Sequence, residues 1–262
     1  MDRNRTAPRV NVLGVGVSAI DLTGAIGTLH RWIRERGAHY VCVTGVHGVM
    51  ESQRDPALRS IHNDADMVTP DGMPLVWIGW ASGHDRMTRV YGPDLLLAMC
   101  AASAPHQPRH FFFGGTPDVL SRLTERLCQR FPYLVVCGTN SPPFHDLNDA
   151  EDARLISGIN ATSPDIVWVG LGTPKQERWM AAHLGRIDAP VMIGVGAAFD
   201  FVAGSKRQAP RWMQRNGLEW LFRLVSEPRR LGRRYLVNNP AFLWQLLLQS
   251  IGVRHYELDE AA

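Results

Sequence analysis

Short apolar runs alternate with amphipathic stretches over the first 200 or so residues of this 262-residue chain, and few architectures accommodate that rhythm. The runs Val10–Val17, Tyr40–Thr44, Met67–Thr69, His110–Phe113, Leu134–Gly138, Ile166–Gly170 and Val191–Val195 read as strands. Between them, Leu22–Arg36, Asp94–Ala102, Asp118–Arg130, Ala150–Ile159 and Lys175–Leu184 carry apolar residues at helical spacing. Short buried strands separated by helices of this length predict an α/β fold with a mostly parallel sheet flanked by helices. Beyond Phe201 the character changes. That segment is basic, rich in Trp and Leu, and reads as three helices broken near Gly217, Pro228 and Pro240. The expected organisation is an α/β body over 1–204 and a basic helical appendage over 205–262.

Charge is distributed unevenly. Between Gly204 and Asn239 nine Lys or Arg accompany two Glu, whereas the rest of the chain is mildly acidic. Such asymmetry points to an anionic partner near the C-terminus: phosphate, nucleic acid or a lipid surface. A chain this long buries a full core without staples. Its four cysteines include no C-x-x-C pair, which argues against zinc ribbons, redox dithiols and a disulfide framework. Runs of about 18 apolar residues, the mark of a membrane span, are absent. Residues 1–17 lack the long apolar core of a secretory leader. A soluble, cytoplasmic protein is expected.

Glycines recur where predicted strands end: Gly14 and Gly16, Gly114 and Gly115, Gly170 and Gly172, Gly194 and Gly196. Any one pair fits a tight turn. Together they point to a nucleotide or phosphate ligand at the carboxyl edge of the sheet. Gly14-Val-Gly16-Val-Ser-Ala19 matches the dinucleotide fingerprint G-x-G-x-x-A and prompts an alternative, an NAD(P)-dependent oxidoreductase. The acidic residue that fingerprint needs about 20 positions later is missing, because the second strand ends at Thr44-Gly45.

Asp71, in Thr69-Pro-Asp-Gly72, is either a plain turn residue or a general base held at a strand end. With a reference pKa of about 3.9 it is ionised and able to accept a proton. Gly172-Thr-Pro-Lys-Gln-Glu177 makes a good helix start, with Thr173 as N-cap and Pro174 in the first turn. In the functional alternative, Lys175 and Gln176 face a ligand. Arg223, Arg230 and Arg233 are either a solvated face or phosphate-binding forks. Aromatic residues interleave with the charges here, which makes nucleic acid a competitor, but no nucleic-acid motif accompanies them, so none is expected. The stretch Ala241–Ile251 either packs on the body or lies in a membrane interface. His47 is either a ligand contact or a loop histidine. H-E-x-x-H and G-x-S-x-G are absent, and Asp64-Ala-Asp66 reads as a helix-to-strand connection. Neither a metal nor a cofactor is expected.

Taken together, Ala65-Asp-Met-Val-Thr-Pro-Asp-Gly72, Arg89-Val-Tyr-Gly-Pro-Asp94, Gly170-Leu-Gly-Thr-Pro-Lys-Gln-Glu177 and Gly194-Val-Gly-Ala-Ala-Phe-Asp-Phe201 resemble the WecG/TagA/CpsF family of bacterial glycosyltransferases, glycosyltransferase family 26. Gly217-Leu-Glu-Trp-Leu-Phe-Arg223 and Glu227-Pro-Arg-Arg230 extend the resemblance into the tail, so that it covers about Val10 to Leu248. The resemblance implies a Rossmann-like fold. It also implies inverting, metal-independent transfer of a sugar from a UDP-sugar donor to a polyprenyl-diphosphate-linked saccharide in cell-surface polysaccharide synthesis. It places the base on Asp71, further catalytic positions on Thr44 and Gln176, and stabilisation of the diphosphate on Arg223, Arg230 and Arg233. Substrate binding falls to His47, Gly72, Gly170, Gly172, Lys175, Gly196 and Asp200. Members usually carry an Asn shortly after the Thr, where this chain reads Thr44-Gly-Val-His47; an inactive nucleotide-sugar or lipid-binding adaptor is the alternative that departure prompts. Self-association and attachment to the inner face of the cytoplasmic membrane, through the appendage, are further implications.

Overall fold

The computed structural model describes residues 7–104, 107–143, 145 and 147–258. The first six residues of the 1–17 stretch and the last four of the appendage lie outside them. The chain begins with strands Arg9–Val12 (β1) and Val15–Ser18 (β2), helix Leu22–Glu35 (α1) and strand His39–Thr44 (β3). Helices Val46–Arg54 (α2) and Pro56–Asp64 (α3) lead to strand Met67–Pro70 (β4), followed by helices Met73–Ala81 (α4) and Gly92–Ala101 (α5). Strand Arg109–Gly114 (β5), helix Pro117–Arg130 (α6), strand Val135–Asn140 (β6), helix Asp149–Ala161 (α7) and strand Ile166–Gly170 (β7) continue the alternation. Helix Lys175–His183 (α8), strand Val191–Gly194 (β8) and helices Ala198–Val202 (α9), Arg211–Arg215 (α10), Glu219–Ser226 (α11) and Pro228–Ser250 (α12) complete it.

The main sheet has six parallel strands in the order β4-β3-β8-β7-β5-β6. Its inner strands are buried along almost their whole length, as expected where helices cover both faces. The chain packs as two compact units that interleave along the sequence: one takes the described residues up to Leu22, Val43–Tyr91 and Gln208 onward, the other Thr23–Cys42 and Gly92–Arg207.

In the second unit, helical periodicity sets the packing: α1 buries Ala25, Leu29 and Trp32, and α6 buries Val119, Leu120, Leu123 and Leu127. A buried polar chain crosses it. The Trp168 indole donates to His110 Nδ1 at 3.0 Å, which leaves Nε2 to donate to Ser103 Oγ, also at 3.0 Å. Protonating Nδ1 would turn two donors on each other. Burial lowers the His110 pKa to about 4 from 6.5. The unfolded chain therefore binds this proton first, and the stability His110 contributes above pH 6.5 is lost as pH falls toward 4. A loss of about 2 kcal/mol by pH 5 is expected from this group. Urea unfolding of wild type and His110→Gln at pH 7.5 and pH 5 isolates it; equal pH dependence in both proteins would contradict the assignment.

In the first unit, the single strand expected over Val10–Val17 is instead the antiparallel hairpin β1–β2, turned by Leu13 and Gly14 at positive φ. Its backbone is fully engaged: Gly16 N donates to Asn63 Oδ1, Asn63 Nδ2 to Gly14 O, Gln53 Nε2 to Leu13 O, and Leu13 N to Gln249 Oε1. A dinucleotide fingerprint needs these glycines between a strand and a helix N-terminus. Here Gly14 turns a hairpin and Gly16 lies within its second strand, so neither opens a helix as a dinucleotide site requires. The tail also departs from expectation. It breaks near Gly217 and at Pro228, but α12 runs through Pro240. Pro240 removes the bond to the Leu236 carbonyl, and Leu236 is 69% exposed, so water can take that carbonyl.

Candidate functional site

Strand β3 ends at buried Thr44, and β4 ends one residue before Asp71. The Asp71 N–H donates to Thr44 O at 2.9 Å, and Arg89 Nε donates to Asp71 O at 2.6 Å. Both backbone groups of Asp71 are thereby fixed, with the side chain half-buried. Gly45 lies beside the carboxylate, where a Cβ would stand 3.7 Å from Asp71 Oδ2. Gly72 follows as the N-cap of α4. The Thr44 hydroxyl meets His62 Nε2 at 3.0 Å, and His62 Nδ1 lies 3.0 Å from Leu58 O. A carbonyl only accepts, so in the neutral ring Nδ1 carries the proton and Thr44 donates to Nε2. The Thr44 hydroxyl proton is thus committed to His62, leaving its oxygen able to accept.

Arg89 ties this turn to the tail. Its guanidinium is paired with Glu219 on α11, reaches Gln214 Oε1 at 3.4 Å, and stacks 3.9 Å from the Tyr91 ring centroid. Burial, then Glu219 and Asp71, push the Tyr91 phenol far up, so it remains protonated. Burial opposes the charge of Arg223, but Tyr235, Tyr91, Glu219 and Asp71 outweigh it and hold the guanidinium more firmly protonated than usual. Asp71 and Arg223 therefore belong to one electrostatic cluster.

A second group of charges adjoins Arg223. Burial, with Arg223 and Arg230, pushes Arg234 down to about 10, so it remains a cation at neutral pH. Its Nε is buried without a hydrogen-bond partner among the described residues. Burial, then Arg234, Arg54 and Arg223, lowers His47 to about 3, and the ring is neutral at any ordinary pH. Arg230 is paired with Glu227, and Arg233 is exposed. Of the three expected tail arginines, Arg223 is the one gathered most closely toward Asp71. Arg234, half-buried, rather than exposed Arg233, is the cation that shares its electrostatic surroundings.

The remaining candidates lie in the second unit. Gln176 is buried, and its Oε1 accepts from Gly172 N at 3.2 Å and Gly196 N at 2.9 Å, while its Nε2 donates to Glu177 Oε1 at 3.0 Å. It staples together the two glycine turns after β7 and β8. At Gly170 a Cβ would stand 2.5 Å from the Phe199 ring, so close packing alone demands glycine there. Lys175 is exposed at the start of α8. The N-cap of that helix is Pro174 rather than Thr173, whose hydroxyl donates to Glu177 Oε1 at 2.8 Å. Asp200 is paired with Lys206 Nζ at 3.4 Å. Among the described residues no group of three or more His, Cys, Asp or Glu is placed to hold a metal ion.

The model of the glycosyl transferase WecG/TagA/CpsF family matches residues 10–256. The chain belongs to this family. It is accordingly a hexosyltransferase. Among its relatives, a protein of Bacillus spizizenii is 28% identical over 214 residues, 82% of this chain and 80% of the relative. A protein of Staphylococcus aureus strain MW2 is 24% identical over 247 residues, 94% of each chain. Both are named N-acetylglucosaminyldiphosphoundecaprenol N-acetyl-beta-D-mannosaminyltransferase.

For this family member, reasoning from single residues passes over Arg89, Tyr91, Glu219 and Arg234. Arg89 and Tyr91 lie in the Arg89–Asp94 motif and Glu219 in the Gly217–Arg223 motif, so motif membership is the signal that finds them. Apolar side chains are exposed along α10–α12, notably Trp212, Trp220, Leu243, Trp244 and Leu247. No helix among the described residues is long and apolar enough to cross a membrane.

Proposed function

We propose that this chain is an inverting, metal-independent glycosyltransferase that moves a sugar from a UDP-sugar to a polyprenyl-diphosphate-linked saccharide during cell-surface polysaccharide synthesis. The observation that carries the reading is the shared electrostatic cluster of Asp71 and Arg223, a carboxylate on an anchored backbone that helps to keep a half-buried guanidinium protonated. Asp71 takes the proton from the acceptor hydroxyl as its oxygen attacks the anomeric carbon. UDP departs from the opposite face with added negative charge, and Arg223, Arg230 and Arg233 stabilise it. Thr44 orients the reacting groups. Gln176 is proposed as a further catalytic position, and His47, Gly72, Gly170, Gly172, Lys175, Gly196 and Asp200 are proposed for substrate binding.

The names of the relatives support a GlcNAc-diphosphate-lipid acceptor and an N-acetylmannosaminyl donor. We further propose that the functional division runs 1–204 and 205–262, with the appendage touching the inner face of the cytoplasmic membrane. Basic residues near an anionic leaflet contribute about 1 kcal/mol each, and exposed Trp212, Trp220 and Trp244 suit an interface. Co-sedimentation with phosphatidylglycerol vesicles is expected to exceed that with neutral vesicles and to weaken with salt. Equal recovery with both would remove the electrostatic part of the contact.

A panel of UDP-sugars, offered with a short-chain GlcNAc-diphosphate lipid in EDTA, tests the reaction. One donor is expected to yield a product whose new linkage has the anomeric configuration opposite to the donor. A retained configuration would exclude direct displacement, and turnover abolished by EDTA would exclude the metal-independent mechanism.

A further inference from the structure

One hydrogen-bonded chain connects the tail to the segment after β3, and its direction is fixed by chemistry. Arg54 only donates, and its Nη2 lies 2.6 Å from Asn238 Oδ1. The Asn238 amide is therefore oriented with Nδ2 toward His47, donating to Nδ1 at 3.2 Å. The Glu51 carboxylate also faces Nδ1, but at 3.7 Å it lies beyond hydrogen-bond reach and is held by Arg54 Nη1 at 2.7 Å. An imidazole that accepts at Nδ1 and is neutral must carry its proton on Nε2. His47 is thereby a neutral ring with one hydrogen to give, built into a cationic neighbourhood.

The phase of α12 explains which tail arginine accompanies it. Leu231, Asn238 and Phe242 are the buried residues of this helix. Arg234 lies three positions after Leu231 and four before Asn238, on the same face, whereas Arg233 falls outside it and is exposed. The guanidinium of Arg234 is thus partly desolvated, with a buried Nε that no group among the described residues satisfies. A desolvated cation with spare donors, beside a neutral donor ring, is complementary to oxygen atoms that carry charge and no proton.

We propose that His47 Nε2–H and Arg234 form an anion subsite for the diphosphate of the donor nucleotide, with Asn238 and Arg54 as positioning residues that fix the His47 tautomer. This rests on the UDP-sugar reading and assigns it two groups in addition to the family's tail arginines. The groups acting on His47 are Glu51 and Arg54 on its own helix, Arg223 on α11 and Arg234 on α12, with His62 on α3 close to the intervening Gly48. An arriving diphosphate offsets the three arginine charges, so the His47 pKa rises on binding. By linkage, affinity for the diphosphate strengthens as pH falls through the bound-state value.

The test is nitrogen NMR of the histidine rings in the full chain, with His47 identified by its absence in His47→Gln. The probes are UDP and inorganic pyrophosphate. In the free protein His47 is expected in the Nε2–H form and untitrated between pH 5.5 and 8, and its Nε2 resonance is expected to move when either probe binds. In Asn238→Asp a carboxylate faces Nδ1, so the proton is expected on Nδ1, with titration in the accessible range and weaker binding of UDP. Arg234→Met is expected to weaken UDP binding tenfold or more, while Arg229→Ala, at an exposed position on the same helix, leaves it unchanged. If wild type binds UDP and pyrophosphate but the His47 signal stays still, or Arg234→Met binds normally, the subsite is refuted and the donor reading stands. If wild type binds neither probe, the donor reading falls and the subsite with it. A free-protein tautomer with the proton on Nδ1 refutes the positioning role of Asn238 whatever else binds.

Discussion

Asp71→Asn is expected to lower turnover by roughly 10²–10⁴, the usual contribution of a positioned general base, while leaving UDP affinity within a few-fold of wild type. The substitution is nearly isosteric, and both backbone hydrogen bonds that hold the residue, to Thr44 O and from Arg89 Nε, survive it. What disappears is the ability to take a proton from the acceptor hydroxyl. The loss should appear in kcat more than in the KM for donor. Thermal unfolding should be unchanged or slightly raised, because a partly desolvated carboxylate is removed. Near-normal turnover in Asp71→Asn would take the residue out of the base role.

Arg223→Ala is expected to cost roughly 10²–10³ in turnover, the range for removing one preorganised electrostatic contact to a charge that develops in the transition state. Arg223 is the tail cation in electrostatic contact with the Asp71 and Glu219 carboxylates, so its removal also takes a favourable charge away from Asp71, while Glu219 keeps Arg89. Arg223→Lys should restore little, because an ammonium cannot copy the planar fork of a guanidinium. Steady-state kinetics with UDP calorimetry separate the two consequences: a loss confined to kcat marks stabilisation of the leaving group, and a matching loss in UDP affinity marks uniform binding. A variant that keeps full turnover would show that the leaving group departs without this cation.

The parallel sheet was legible because its strands are nearly continuous apolar runs bounded by glycine and proline. The hairpin was not, because Val10–Val17 is apolar on both sides of Leu13-Gly14 and nothing in the run marks a reversal. Helices α2 and α3 escaped for a different reason: each is nine residues long, and their few buried positions include Gly48, Ser52, His62 and Asn63, which carry no hydrophobic period. Pro240 was read as a break, yet the carbonyl it leaves unbonded is on the solvent side of the helix.

At the site, motif membership located Asp71 and Arg223, the family resemblance placed Thr44, and all three fall in one unit. Arg233 and Arg234 are adjacent, identical in type and about 100° apart around α12, so composition cannot choose between them. The spacing Leu231, Arg234, Asn238, Phe242 does choose, once the inward face is known. Gln176 illustrates the converse. Its place at a helix start is visible in the sequence, but its engagement with the backbone of Gly172 and Gly196 depends on two loops that only the fold brings side by side.

The central claim is tested most directly by acceptor-dependent release of UDP. Purified protein, a UDP-linked N-acetylhexosamine and a short-chain GlcNAc-diphosphate lipid are combined in EDTA, with Asp71→Asn run in parallel. UDP release is expected to require the lipid acceptor, to persist without free metal and to collapse in the variant. UDP binding without release for any donor, or equal release by wild type and Asp71→Asn, would contradict it.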